Sequence, residues 1–177
     1  MPYYMGFTGA IESGSVTRIC GALNAAVNQG ATEIHLAMNS GGGVISDGIY
    51  LYNHLRALPV KISAYNTGTV ASIAVAAFVA AEERYCSKHS IFMIHPTAFP
   101  QLADASAEKL RTFYGSALAD DERTDAILRD RTRLTDELLD GRRFADIWIQ
   151  PDVAVEQAIA HEIREFSVPH GFQVFQI

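Results

Sequence analysis

Residues 70–81 are apolar at every position except Ser72. The run falls well short of the ~18 to 20 residues a membrane span requires, so it predicts a helix buried in a protein core. Such a helix must be covered by other elements, and the flanking sequence supplies them. Ile34, Leu36 and Met38 alternate with Glu33, His35 and the small Ala37, a strand that ends in the turn Asn39-Ser40-Gly41-Gly42-Gly43. A helix carrying Val44, Ile45, Ile49, Tyr52 and Leu55 follows and stops by Pro59. Val60, Ile62 and Ala64 form a second strand, which Gly68 is expected to end. Beyond the apolar run lie short strands at 84–86 and 91–94, the second delivering His95 and Pro96 at its end. Strands alternating with helices predict an α/β fold with a mainly parallel sheet.

The remaining segments fit that class. Ser13 and Ser15 offer N-caps to an amphipathic helix with Val16, Ile19, Cys20, Leu23 and Val27 on one face and Gly30 as its stop. From about 103 to 139 the pattern becomes one long helical stretch, with Leu110, Phe113, Leu118, Ile127 and Leu128 set among many charges. Its polar middle, from Asp120 to Arg133, reads either as a solvated face or as an arm between subunits. Pro151 opens a final helix with Val153, Val155, Ala158, Ile159 and Ile163, and residues 166–177 read as turn plus strand.

Composition excludes several classes. The chain has 177 residues, 49% hydrophobic and 19% charged, as expected of one soluble domain spanning 1–177. A formal charge of -6 lacks the basic surplus that binds phosphate backbones, so no nucleic-acid partner is expected. Cys20 and Cys86 sit in apolar runs as free thiols. The first residues show no basic segment followed by an apolar one, which makes a cytoplasmic location with no membrane partner the expectation.

Ser72 is the one hydroxyl near the start of an otherwise apolar helix. It is either a cap or back-bonded core serine, or a nucleophile placed where helix N–H groups favour a developing negative charge. A serine nucleophile needs a base, usually a histidine oriented by a carboxylate. His95 qualifies by position, although a core histidine satisfied by the backbone is the alternative. The Gly41-Gly42-Gly43 turn is a tight connection, or a set of N–H groups facing an oxyanion; it lacks the Lys-Ser/Thr that completes a phosphate loop. HExxH is absent, the histidines and cysteines show no paired metal-ligand spacing, and no G-x-S-x-G surrounds Ser72.

Taken in order, these motifs resemble the proteolytic subunit of the Clp protease, ClpP, from about Gly6 to Ile163. Asn39-Ser40-Gly41-Gly42-Gly43-Val44 is similar to the family's Asn-Ser-Pro-Gly-Gly segment, with Gly41 in place of proline. Gly68-Thr69-Val70-Ala71-Ser72-Ile73 resembles its Gly-x-Ala-Ala-Ser-Met nucleophile segment, and Phe92-Met93-Ile94-His95-Pro96 the strand bearing its catalytic histidine. The resemblance implies a crotonase-like fold with repeated ββα and βα units and a protruding handle helix at about 103–140. It implies a serine endopeptidase in which Ser72 attacks, His95 is the base, and Gly42, Gly43 and Ile73 supply the oxyanion and substrate-backbone contacts. Running Trp148-Ile149-Gln150 into Ala154-Val155-Glu156 without a gap puts the family's aspartate at Asp146, with Asp140 as fallback and Asp152 the next carboxylate along.

No cofactor is implied. The implied partners are a peptide or unfolded protein substrate and copies of the same chain, in heptameric rings that stack as a tetradecamer. A Clp-type ATPase would complete the family pattern, but only about five residues precede Gly6, where the family has a pore loop and short helix that contact it. Two rival expectations stand beside this one: a catalytically silent ring subunit, and an acyl-coenzyme A enzyme on the related crotonase fold.

Overall fold

The computed structural model describes residues 1–99 and 104–177. Its elements run β1 (Pro2–Thr8), α1 (Ser13–Asn28), β2 (Glu33–Ser40), α2 (Ile45–Ala57), β3 (Lys61–Ala71), α3 (Ile73–Phe78), β4 (Glu83–Cys86), β5 (Ile91–Ile94), α4 (Ala107–Arg131), α5 (Asp136–Gly141), β6 (Ile147–Ile149), α6 (Pro151–Glu156), β7 (Glu162–Ile163) and β8 (Val174–Gln176). The sheet order is β6-β5-β3-β2-β1-β8, with β4 and then β7 branching from β3. Every pairing is parallel except β5 with β6. Among the described residues no helix is long and apolar enough to cross a membrane.

The expected break at Gly68 does not occur. β3 continues to Ala71 because the chain bulges there: Met38 pairs with Asn66, but Ser40, two residues on, pairs with Val70. Asparagine side chains satisfy the freed backbone, Asn66 Oδ1 accepting from Gly68 N–H at 3.1 Å and Asn39 Oδ1 from Thr69 N–H at 3.0 Å. Before the bulge β3 pairs with β4 at residues 63–66, and beyond it with β5 at residues 69–71. The bend thus brings the end of β3 beside β5, the strand that carries His95.

The apolar run is therefore half strand. Val70 and Ala71 close β3, Ser72 forms the corner, and α3 occupies only Ile73–Phe78. All six α3 residues are buried. Phe78 packs edge-on against Phe92 of β5, with ring centres 5.2 Å apart.

Arg84 anchors the far end of α3. Its guanidinium donates to the carbonyls of Ala81, Arg131, Ala158 and Ile159 at 2.9 to 3.2 Å. These oxygens lie at or just past the ends of α3, α4 and α6, where carbonyls lack helical partners and a cation suits the dipole. Burial, and then the neighbouring Arg131, lower the Arg84 pKa to about 10. Arg84→Met should destabilise the fold by about 3 kcal/mol, because several buried acceptors lose their donor together. Urea denaturation measures it; an unchanged midpoint would contradict this account.

Other boundaries also differ from the sequence reading. α1 is capped at Glu12, not at Ser13 or Ser15, and the Ser15 hydroxyl reaches back to accept from Glu12 N–H at 3.0 Å. The long stretch is two helices, and of its expected start residue 103 lies outside the described residues. Thr132 turns extended after α4, its Oγ1 bonded to Leu128 O, and Thr135 caps α5 at Leu138 N–H. The last helix ends at Glu156, since Ala158 takes a positive φ of 53° and sends the chain into β7 beside β4.

Candidate active site

Ser72 sits at φ 57°, ψ -134°, a conformation costly for a residue with a side chain. The corner is fixed from both sides: Ser72 N–H donates to Met93 O of β5 at 2.8 Å, and Ser72 O accepts from Val75 N–H of α3 at 3.0 Å. Although Ser72 occupies the N-cap position, its hydroxyl makes no capping hydrogen bond. The cap and back-bonded readings therefore do not describe it. A strained strand-to-helix corner, its hydroxyl without a hydrogen bond among the described residues, is similar in backbone shape to a nucleophile elbow, without the G-x-S-x-G sequence.

Glycine lets the neighbouring turn approach this corner. A Cβ on Gly42, at φ 96°, would lie 2.5 Å from Ser72 Cβ and 2.9 Å from Ala71 O. Gly42 N–H is already bonded to Ser40 Oγ at 3.2 Å. Gly43 is held by a bridge to Ile11 and lines the same cavity as Ser72 and Ile73. Among the described residues neither Gly43 N–H nor Ile73 N–H bonds to a backbone carbonyl. Of Gly42 and Gly43, then, only Gly42 has its N–H bonded to another protein group among the described residues, and Gly42 is the one that allows the close approach. Gly42→Ala should slow reaction at Ser72 about 100-fold, because the added Cβ must push the Ser72 corner out of place and a misplaced reacting group costs a rate of that order. Comparing labelling rates with melting temperature separates this loss from unfolding.

His95 follows β5 and lines the cavity with Ser72. β6 pairs antiparallel with β5 through Phe92↔Ile149, Met93↔Trp148 and Ile94↔Ile147, so His95 and the exposed Asp146 are the residues that adjoin the last pair. Asp140 lies in the last turn of α5 with its side chain 65% exposed and beside Arg143. Asp152 lies exposed in the first turn of α6. Among the described residues no hydrogen bond joins the Ser72 hydroxyl to the His95 ring, or that ring to any of these three carboxylates.

Sequence reasoning missed an ion cluster behind His95. The buried Arg142 guanidinium donates to Asp125 Oδ1 at 2.7 and 3.0 Å and to the His95 carbonyl at 2.5 Å. Asp121 lies 3.4 Å from Arg142 and accepts from Thr97 N–H and Oγ1–H at 2.8 and 2.9 Å. Arg142 and Asp121 both line the cavity, and the cluster fixes the chain on either side of Pro96. A signal was present: Asp121, Asp125 and Leu128 share one helix face, and two acids beside a core leucine require a buried cation.

The comparisons decide the family. The Clp protease family model matches residues 4–166. The chain belongs to the Clp protease family. That family comprises serine proteases that form ring oligomers. The chain is 24% identical over 169 residues to the ATP-dependent Clp protease proteolytic subunit 2 of Pseudomonas aeruginosa, covering 92% of this chain and 83% of that one. It is 32% identical over 96 residues to the ATP-dependent Clp protease proteolytic subunit of Carsonella ruddii, a match spanning 52% of this chain and half of that relative. Among solved structures, a ClpP1 mutant from Listeria monocytogenes superposes with a TM-score of 0.81 at 20% identity, covering 92% of this chain and 91% of that one. The chain therefore has the ClpP fold.

Proposed function

We propose that this Clp-family chain is an active serine peptidase that hydrolyses peptide bonds through an acyl-enzyme on Ser72. The observation that carries the reading is the strained Ser72 corner, its hydroxyl without a hydrogen bond among the described residues, in a cavity shared with His95. Ser72 Oγ attacks the scissile carbonyl as His95 takes its proton, and His95 then gives that proton to the leaving amine. Asp146 holds the ring and stabilises the imidazolium, while Gly43 and Ile73 N–H groups face the oxyanion. Water, deprotonated by His95, releases the acyl group.

Assembly of copies into paired rings is part of the proposal. The buried residues of α4 are confined to its second half, and Leu110, Tyr114 and Leu118 recur every four residues on the first half with 39% to 67% exposure. That apolar stripe favours an arm packed between subunits over a solvated face.

A second reading, the catalytically silent ring subunit, is favoured by the missing Ser72–His95 hydrogen bond, although such contacts are often long before substrate binds. Incubating the assembled protein separately with short peptides and with acyl-coenzyme A distinguishes the readings. The proposal expects peptide products with new carboxyl termini. Intact peptides would favour the silent subunit, and acyl-coenzyme A binding without peptide hydrolysis would favour a crotonase-type enzyme.

A further inference from the structure

We infer that the cavity beside Ser72 selects substrates with a small side chain, alanine or serine, on the acyl side of the cleaved bond. The inference rests on the peptidase reading of the site and adds its substrate class. The cavity holds about 60 Å³ and runs from Ser72 and His95 to the inner face of α4. A dry cavity of about 150 Å³ admits a benzene-sized ring and one of about 15 Å³ a single water, so this space fits a methyl or hydroxymethyl group better than an isobutyl or benzyl group.

Its walls are fixed in place. Leu128 is 1% exposed and Ile73 3%. Arg142 is tied to Asp125 and to the His95 carbonyl, so widening the space past it would break hydrogen bonds of a buried cation. The polar wall disfavours a large apolar group further. Asp121 Oδ1 is occupied by Thr97 and Arg142, while among the described residues Oδ2 has no protein donor. A leucine side chain would strip water from that oxygen and return no hydrogen bond. Alanine leaves room for a water there, and a serine hydroxyl can donate to it directly.

Peptidyl diphenyl phosphonates carrying Ala, Ser, Leu or Phe at the phosphorus-linked residue test this with the full chain. Ser72 Oγ bonds to phosphorus, a phenoxide leaves, and the serine proton departs with it as phenol. The rate of adduct formation, read by intact mass, should be at least about tenfold higher for Ala and Ser than for Leu and Phe, within the usual range for pocket-size discrimination. Leu128→Ala, which enlarges the cavity, should raise the Leu-to-Ala rate ratio about tenfold. Ile45→Ala, at a half-buried residue that also lines the cavity, gives the same direction should Leu128→Ala fail to fold. Leu or Phe reacting as fast as Ala in the unaltered protein would overturn the size selection and leave the peptidase reading standing. No adduct at Ser72 with any of the four would overturn both.

Discussion

Replacing His95 by alanine should slow acylation of Ser72 by about 10,000- to 1,000,000-fold, the loss expected when one member of a cooperating triad is removed. Ser72 Oγ is a poor nucleophile while protonated, and the strained corner presents it without deprotonating it. The same logic ranks the carboxylates. Asp146→Asn, which with His95 adjoins the last β5–β6 pair, should cost on the order of 10,000-fold by leaving the ring in the wrong tautomer. Asp140→Asn, on an exposed side chain beside Arg143, should leave the rate within about twofold, as surface charge pairs contribute little. Pre-steady-state acylation rates on the three variants check the order. A larger loss for Asp140→Asn than for Asp146→Asn would move the third member to α5.

Arg142→Leu should cost about 3 to 5 kcal/mol of stability, the usual result of stranding buried charge. Asp125 is 1% exposed and receives two hydrogen bonds from Arg142, while Arg129 and Arg143 approach its other oxygen only at 3.7 to 3.9 Å. Removing Arg142 also frees the His95 carbonyl and the near edge of Asp121. The double change Arg142→Leu with Asp125→Leu should recover most of the loss, because a well-packed apolar pair avoids the desolvation of both ions. Urea denaturation of the two single variants and the double variant gives the coupling. Additive losses would show that the charges do not act as a pair.

The fold was legible where periodicity was clean. The alternation of Ile34, Leu36 and Met38 marked β2, and the wheel of Val16, Ile19, Cys20 and Leu23 marked α1, since each pattern reports one buried face. It was not legible at 70–81, because a strand buried on both faces and a buried helix are both continuous apolar runs. Gly68 misled for a related reason. Glycine marks a bulge as readily as a strand end, and the Asn39 and Asn66 side chains that decide between them act from 30 and 2 residues away, respectively.

Of the site, Ser72, His95 and the glycine turn were visible in local motifs. Asp146 rests on the ungapped alignment, and the structure adds that it lies one residue before β6 as His95 lies one after β5. Asp121 left a signal in the face it shares with Asp125 and Leu128, but Arg142 was hidden, because it looks like an ordinary surface charge until the chain after α5 folds back behind His95. The division between Gly42 and Gly43 was hidden too. It depends on Ser40 Oγ occupying one N–H, a contact that a string of glycines does not announce.

The central claim is that Ser72 is an activated nucleophile. Treating the assembled protein with a fluorophosphonate, then locating the adduct by peptide mass mapping, tests it most directly. The account predicts one adduct per chain, on Ser72, absent in Ser72→Ala and strongly slowed in His95→Ala. An unmodified Ser72, or an adduct that persists in Ser72→Ala, would contradict it.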